Sequence, residues 1–207
     1  SSEITLAEVF AEKNYKTGIF GKWHLGDNYP SRPSDQGFQE SLIHLAGGIG
    51  QVGDFTNYYA GNESYFDPAL WHNNEIKKYE GYCSDIFTDE ALKFIEQNKS
   101  NQFFCYLSFN APHTPLQVPE KYYDLYKDID PSNFYEEVTS EMTERDVNDA
   151  KKIYGMVTNI DENFGKLLYK LEELDIKENT IVIFLTDNGP QQTRYVSNLR
   201  GLKSQVY

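Results

Sequence analysis

The sequence predicts an α/β fold, in which helices alternate with the strands of a mainly parallel sheet. The run from Arg145 to Leu174 has apolar residues at spacings of three and four, which is typical of an amphipathic helix packed on a large core. The run from Thr180 to Thr186 is apolar on both faces, as expected for a strand buried in a parallel sheet. Shorter helices and strands alternate ahead of these two elements.

The first helix begins with Thr5 and Glu8, which have the spacing of a capping box. Residues 16–21 then predict a short strand that ends at a glycine. Residues 27–82 are rich in Gly, Asn, Tyr and Pro and have no steady period, which predicts a loop-rich insertion around an active site. The residues of the first helix that are predicted to share one face are Leu6, Val9 and Phe10.

The middle of the chain predicts a helix over about 85–98 and a strand over 103–109. A loop bounded by prolines follows at 111–115, and Pro119 suits the first turn of a short helix at 120–126. The inward positions of the long helix are predicted to be Val147, Ala150, Ile153, Val157, Ile160, Phe164, Leu167, Leu171 and Leu174.

Length and composition set limits on the class of protein. The 207 residues, 39% of them hydrophobic, are enough for one globular domain. A formal net charge of -13 argues against a nucleic-acid partner, because phosphate binding needs a basic surface. No stretch has the length needed to span a membrane. The chain opens at Ser1 without Met or a signal peptide and ends at Tyr207 in mid-loop, so we expect an internal fragment of a longer protein.

The first candidate site residues follow the strand at 16–21. In an open α/β sheet, ligands bind beyond the carboxyl ends of the strands. If the backbone stays extended, Lys22 and His24 point to one face and Trp23 points to the other. A cation beside an imidazole suits an anionic substrate group. A structural or solvated lysine and histidine remain the alternative.

His113 follows the next strand and is flanked by Pro112 and Pro115. Prolines fix the backbone, so they position the ring for work as a proton donor or an anion ligand. A rigid loop with an incidental histidine is the alternative.

Asp187 and Asn188 follow the third strand, and they offer hard oxygen ligands for Ca²⁺ or Mg²⁺. An ordinary Asp-Asn-Gly turn is the alternative. Lys203 adds a further cation after this turn, or else a solvated charge.

Taken in order, these segments resemble the sulfatases of the alkaline-phosphatase-like superfamily. Residues 17–26, TGIFGKWHLG, resemble the second sulfatase signature closely. Residues 111–115, APHTP, resemble the histidine loop, and residues 186–189, TDNG, resemble the metal-binding turn. Residues 199–203, LRGLK, resemble an Arg-Gly-Gly-Lys segment in which Leu202 replaces the second glycine. The likeness covers nearly the whole chain.

The resemblance implies a three-layer α/β/α sandwich, with residues 1–207 forming part of a single N-terminal catalytic domain truncated at both ends. It implies that Lys22 and His24 contact the sulfate and the nucleophile. It places His113 at the leaving-group oxygen, which this residue protonates, and Lys203 at a sulfate oxygen. The implied Ca²⁺ ligands are Asp187 and Asn188.

The implied activity is hydrolysis of carbohydrate or aryl sulfate esters, with a sulfated small molecule or glycan as substrate. The family's nucleophile is a formylglycine made from Cys or Ser in a Cys/Ser-x-Pro/Ala-x-Arg motif. Neither Cys83 nor Cys105 lies in such a motif, so we expect the formylglycine outside this chain and no activity from the fragment alone. His44 and His72 are expected to have surface or loop-packing roles.

Two other functions stay open at this point. One is a phosphodiesterase or phosphonate hydrolase of the same superfamily, and the other is an inactive module that binds sulfated glycans. For the parent protein we expect a periplasmic or secreted location.

Overall fold

The computed structural model describes residues 3–58, 63–134, 142–191 and 203–204. Within them, helices pack on a five-stranded sheet, which confirms the α/β class. The strands are β1 (Lys16–Lys22), β2 (Glu40–His44), β3 (Ala69–His72), β4 (Glu75–Lys78) and β5 (Phe103–Ser108). The helices are α1 (Leu6–Glu12), α2 (Cys83–Gln97), α3 (Glu120–Tyr123) and α4 (Glu144–Glu173).

The sheet has the strand order β4-β3-β2-β1-β5 and is mixed. β1 runs parallel to both β2 and β5, whereas β3 and β4 are antiparallel additions at one edge. Three of these strands fall within residues 27–82, where sequence analysis predicted only loops. They are only four or five residues long, and β4 is exposed throughout, so β3 and β4 show neither a buried run nor alternation, and the buried run of β2 is short. The assignment of 27–82 as an active-site insertion stays a prediction.

Helices cover both faces of the sheet. Ile19 of β1 packs with Ala7 of α1, while the next residue, Phe20, packs on the other face against Phe94 of α2 at 5.6 Å between ring centroids. α4 lies beyond α2, and its Met156 belongs to the same core as Phe20. Adjacent strand residues point to opposite faces, so the single strand β1 serves both cores. None of the helices in the described ranges is long and apolar enough to cross a membrane.

α1 has the predicted capping box, with bonds of 2.7 and 3.1 Å, but its buried face differs from the prediction. Leu6 and Val9 are exposed, whereas Ala7 is buried and Phe10 stacks on Phe104 at 4.8 Å. The helix has only seven residues, and it turns the pair at positions i and i+3 toward the sheet. In the long helix α4 the predicted stripe holds except at Val157, which is exposed beside the buried Met156.

The run 180–186 is not a strand, contrary to the prediction. Ile181, Ile183 and Leu185 are 90%, 73% and 79% exposed, and only Phe184 makes a ring contact, with Phe164 of α4 at 5.3 Å. A strand exists through hydrogen bonds to a neighbouring strand, and the sheet of described residues ends at β5 without pairing to this run. An apolar pattern alone therefore did not make it a strand.

Candidate active site

The end of β1 places the first predicted site residue through a close approach to β5. Gly21 has φ 126°, and a Cβ atom there would lie 1.9 Å from the carbonyl oxygen of Ser108. Only glycine tolerates both conditions. The hydroxyl of Ser108 then donates to the carbonyl of Lys22 at 2.8 Å. Trp23 turns into the opposite core, as predicted, and donates from Nε1 to two carbonyls of the turn that follows.

His24 lies beyond the end of β1, and its backbone leaves the extended conformation assumed in the prediction. Its φ is 54°, and its N–H donates to the carbonyl of Leu45 at 3.1 Å. The imidazole lies against Gly47, where a Cβ atom would come within 2.7 Å of Cε1. Because Gly47 has no side chain, the exposed ring of His24 can lie at this position.

His113 has a comparable neighbour in Gly48. A Cβ atom there would lie 2.9 Å from Nδ1 of His113. That nitrogen lies 2.8 Å from the carbonyl oxygen of Thr114. A carbonyl only accepts hydrogen bonds, so Nδ1 carries the hydrogen and Nε2 of the neutral ring is left with its lone pair. Gln51 donates to the same carbonyl at 2.8 Å and holds this part of the loop from the other side.

Four of the predicted residues affect one another through their charges, as the pKa shifts of His113 and Lys22 indicate. Burial lowers the pKa of His113, and the charges of Lys22 and Lys203 lower it further, while the hydrogen bond to Thr114 and the charge of Asp187 act in the opposite direction. Burial likewise lowers the pKa of Lys22, against an opposing effect of Asp187 and with a smaller contribution from Lys203. Lys22, Asp187 and Lys203 are thus near enough for their charges to affect His113, which follows β5. Their roles stay predictions.

Asp187 and Asn188 are exposed and lie at the end of the extended run rather than at the end of a buried strand. The amide nitrogen of Asn188 donates to the carbonyl of Gly189 at 2.9 Å. The backbone N–H of Lys203 donates to the carbonyl of Pro190 at 2.9 Å, which brings Lys203 back to this turn. The other residues of the predicted segment 199–203 lie outside the described residues.

The oxygen donors of Asp187 and Asn188 fit a hard divalent cation in kind. They do not fit it in number, because Ca²⁺ takes six to eight oxygen ligands. In the parts of the chain that the structure describes, no group of three or more His, Cys, Asp and Glu side chains could hold a metal. The described residues alone therefore do not make up a cation site, and the roles of Asp187 and Asn188 as metal ligands stay a prediction.

His44 is the candidate functional residue that sequence analysis missed. It ends β2 in register with Lys22, and it is completely buried, not a surface or loop residue. Neither ring nitrogen forms a hydrogen bond with a described residue. Burial lowers its pKa to about 3, helped by the charges of Lys22, His113 and His24 and opposed by the amide of Asn110. A histidine three residues before a pair of glycines was the only signal in the sequence.

His72, in contrast, has a structural environment, as expected. Its two ring nitrogens lie 2.6 Å from the hydroxyl of Tyr79 and 2.9 Å from a carboxylate oxygen of Glu40. Tyr79 follows the edge strand β4, and Glu40 begins β2 at the opposite end of that strand from His44.

An α/β fold with Lys22, His24 and His113 at or beyond the carboxyl ends of β1 and β5 defines a site suited to an anionic group. A model of the sulfatase family matches residues 1–206, and the chain therefore belongs to the sulfatase family. This confirms the resemblance carried by the four sequence segments.

Individual relatives agree with this membership. The chain is 29% identical to an arylsulfatase of Hemicentrotus pulcherrimus, over 92% of this chain and 32% of that protein. It is 26% identical to an ulvan-active sulfatase of Formosa agariphila, over 100% of this chain and 39% of that protein. The crystal structure of Ps i-CgsB in complex with k-i-k-neocarrahexaose is 31% identical, with a TM-score of 0.71, over 89% of this chain and 40% of that one. The chain thus spans well under half the length of these relatives.

Proposed function

We propose that the whole protein containing this chain is a sulfuric-ester hydrolase that acts on carbohydrate or aryl sulfates. The observation that carries the proposal is that the charges of Lys22, Asp187 and Lys203 all affect His113 in a chain of the sulfatase family. The names of the relatives support the substrate class, since one is an arylsulfatase and another is active on ulvan. A polymeric glycan as substrate favours the expected periplasmic or secreted location.

In this mechanism the two lysines bind the sulfate group. Lys22 and Lys203 bind the negatively charged non-bridging oxygens of the ester. The main chain of Lys22, at the end of β1, is fixed by its pairing with His44 of β2 and by the hydroxyl of Ser108. Charges held in place before the reaction stabilise the transition state without reorganisation. His24, fixed against Gly47, contacts the sulfate from the side of β1.

His113 transfers a proton to the leaving alcohol. Because Nδ1 is bound to the carbonyl of Thr114, the working atom is Nε2. The lowered pKa keeps the ring largely neutral before substrate binds, and an anionic ester raises that pKa again by its charge. The imidazolium then donates from Nε2. Because only the protonated ring donates, turnover falls as the pH rises through this pKa.

Two further groups complete the proposal. Asp187 and Asn188 would hold Ca²⁺ or Mg²⁺ together with ligands from elsewhere, and the bound cation would supply Lewis-acid stabilisation of negative charge. A formylglycine outside this chain, which the family implies, supplies the nucleophile.

The test uses the whole protein and two substrates, an aryl sulfate and a sulfated oligosaccharide. Lys22→Ala and Lys203→Ala should each lower kcat/KM by roughly 10²–10³, the cost of losing one oxyanion-binding donor. Lys93→Ala is the matched control, because that lysine pairs with Glu90 on the exposed side of α2. Rates near wild type in both site variants would contradict the proposal, as would a preference for the corresponding aryl phosphate.

A further inference from the structure

Tyr65 makes three hydrogen bonds to the loop that carries His113, residues 110–117. Tyr65 is completely buried, and its hydroxyl donates to the carbonyl oxygen of His113 at 2.7 Å. The side-chain amide of Asn110 donates to the same hydroxyl. The backbone N–H of Tyr65 donates to Oε1 of Gln117 at 2.8 Å. Tyr65 therefore contacts the loop at its first residue, at His113 and at its last residue.

These contacts fix the peptide plane that follows the His113 ring. The carbonyl of His113 is bound by Tyr65, and the next carbonyl, that of Thr114, is bound by Gln51 and by the His113 ring itself. Hydrogen bonds therefore hold both peptide groups, and they restrict the orientation of the His113 ring. Burial also raises the pKa of Tyr65 well above its ordinary value, so the hydroxyl stays a donor throughout the neutral range.

We propose that Tyr65 is a positioning residue, whose hydroxyl holds the main chain of His113 and thereby aims Nε2 at the leaving-group oxygen. This inference rests on the proposed role of His113. Removing the hydroxyl leaves a part-buried carbonyl without its partner, and the peptide gains freedom to rotate toward another donor. The ring moves with it. A displacement of about 1 Å at a reacting group can cost about 10²-fold in rate.

The chain offers a matched control in Tyr82. Its ring stacks on that of Tyr65 at 5.7 Å, it is also buried, and its hydroxyl donates to the carbonyl of Gln117 at 2.8 Å. Tyr65→Phe and Tyr82→Phe thus remove the same group from the same loop. Only the first removes a contact with His113.

In the whole protein, Tyr65→Phe should lower kcat by about 10- to 100-fold with KM changed less than about twofold, because the lost interaction acts on the reacting geometry. Tyr82→Phe should leave kcat near wild type. It should lower the thermal midpoint of unfolding by about as much as Tyr65→Phe does. In a His113→Ala background, Tyr65→Phe should cause no further loss of kcat. Equal losses of kcat in the two phenylalanine variants would overturn the proposal, and so would an undiminished Tyr65→Phe effect in the His113→Ala background.

A second readout does not depend on sulfatase activity. NMR titration of the His113 imidazole should give a shifted resonance and pKa in Tyr65→Phe and unchanged values in Tyr82→Phe. If the wild-type protein turns over no sulfate ester, the proposed function is wrong. The titration would still decide whether Tyr65 positions the His113 ring. Unchanged His113 signals in Tyr65→Phe would refute the positioning role.

Discussion

The two loops that carry the candidate site are supported in different ways. The loop at 110–117 is bound by side chains from distant parts of the chain, among them Gln51, Tyr65 and Tyr82. The turn at 186–190 is exposed, and apart from the contact with Lys203 its hydrogen bonds join close neighbours. The described residues therefore hold the loop at 110–117, the histidine half of the candidate site, firmly in place. The turn at 186–190, the proposed cation half, is held only weakly.

The difference has a consequence for what can be broken by mutation. In the histidine half, small steric changes should shift the His113 ring, because hydrogen bonds from distant side chains hold the surrounding loop in place. In the cation half, removing a ligand should matter through its charge, whereas changes of shape should be absorbed. The following predictions test the two halves in turn.

Among the changes that compare the two loops, the largest effect is expected from Gly48→Ala in the whole protein. The added Cβ atom would lie 2.9 Å from Nδ1 of His113 and 2.7 Å from Oε1 of Gln51, so the ring must move. A shift of about 1 Å should lower kcat by about 10²-fold. Steady-state turnover of an aryl sulfate provides the measurement.

Gly165→Ala is the control for this change. Gly165 lies on the exposed side of α4, where a Cβ atom meets nothing within 4 Å. This variant should keep full activity and gain about 0.5–1 kcal/mol of stability, because alanine favours a helix over glycine. A Gly48→Ala enzyme that is as active as Gly165→Ala would mean that the histidine half is not rigid.

The cation half is tested by Asp187→Ala. Losing a carboxylate ligand should weaken Ca²⁺ retention by at least about 10-fold, since even partners of metal ligands contribute 10- to 100-fold. Equilibrium dialysis followed by metal analysis gives the affinity without reference to turnover. Asp161→Ala, on the exposed surface of α4, should bind Ca²⁺ like wild type. Equal affinities in all three proteins would remove Asp187 from the metal site.

The smallest effect is a pH dependence of stability that arises at His44 beneath the histidine half. Its pKa is about 3 in the folded protein, below the ordinary value near 6.5, so the unfolded chain binds more protons between these pH values. His44 therefore destabilises the fold progressively as the pH falls through this window, by at most about 1.4 kcal/mol per pH unit.

His44→Leu should remove this contribution, because leucine does not titrate and suits the buried position. Urea unfolding at several pH values between 4 and 7 measures the slope of unfolding free energy against pH. The slope should be shallower in the variant than in the wild type, and two identical slopes would show that His44 is protonated in the fold.

Much of the site could be predicted because its residues lie in contiguous segments. Lys22 and His24 follow one strand, His113 stands between prolines, and Asp187 precedes Asn188, so short patterns were enough to select them. Sequence analysis missed His44 because its neighbours in space, Lys22 and His113, are far away in the chain. The contact of Tyr65 with His113 could not be predicted for the same reason, because 48 residues separate the two in the sequence.

The sequence by itself determined the capped helix α1, the long helix α4, the strands β1 and β5 and the family, because these depend on local periodicity and on short segments. Only the tertiary structure decided which face of α1 is buried, that His44 lies under the site and that residues 181–185 are exposed. Burial and strand pairing depend on the partners that a segment meets, and a pattern of residues specifies what a segment could pack against but not whether a partner is there.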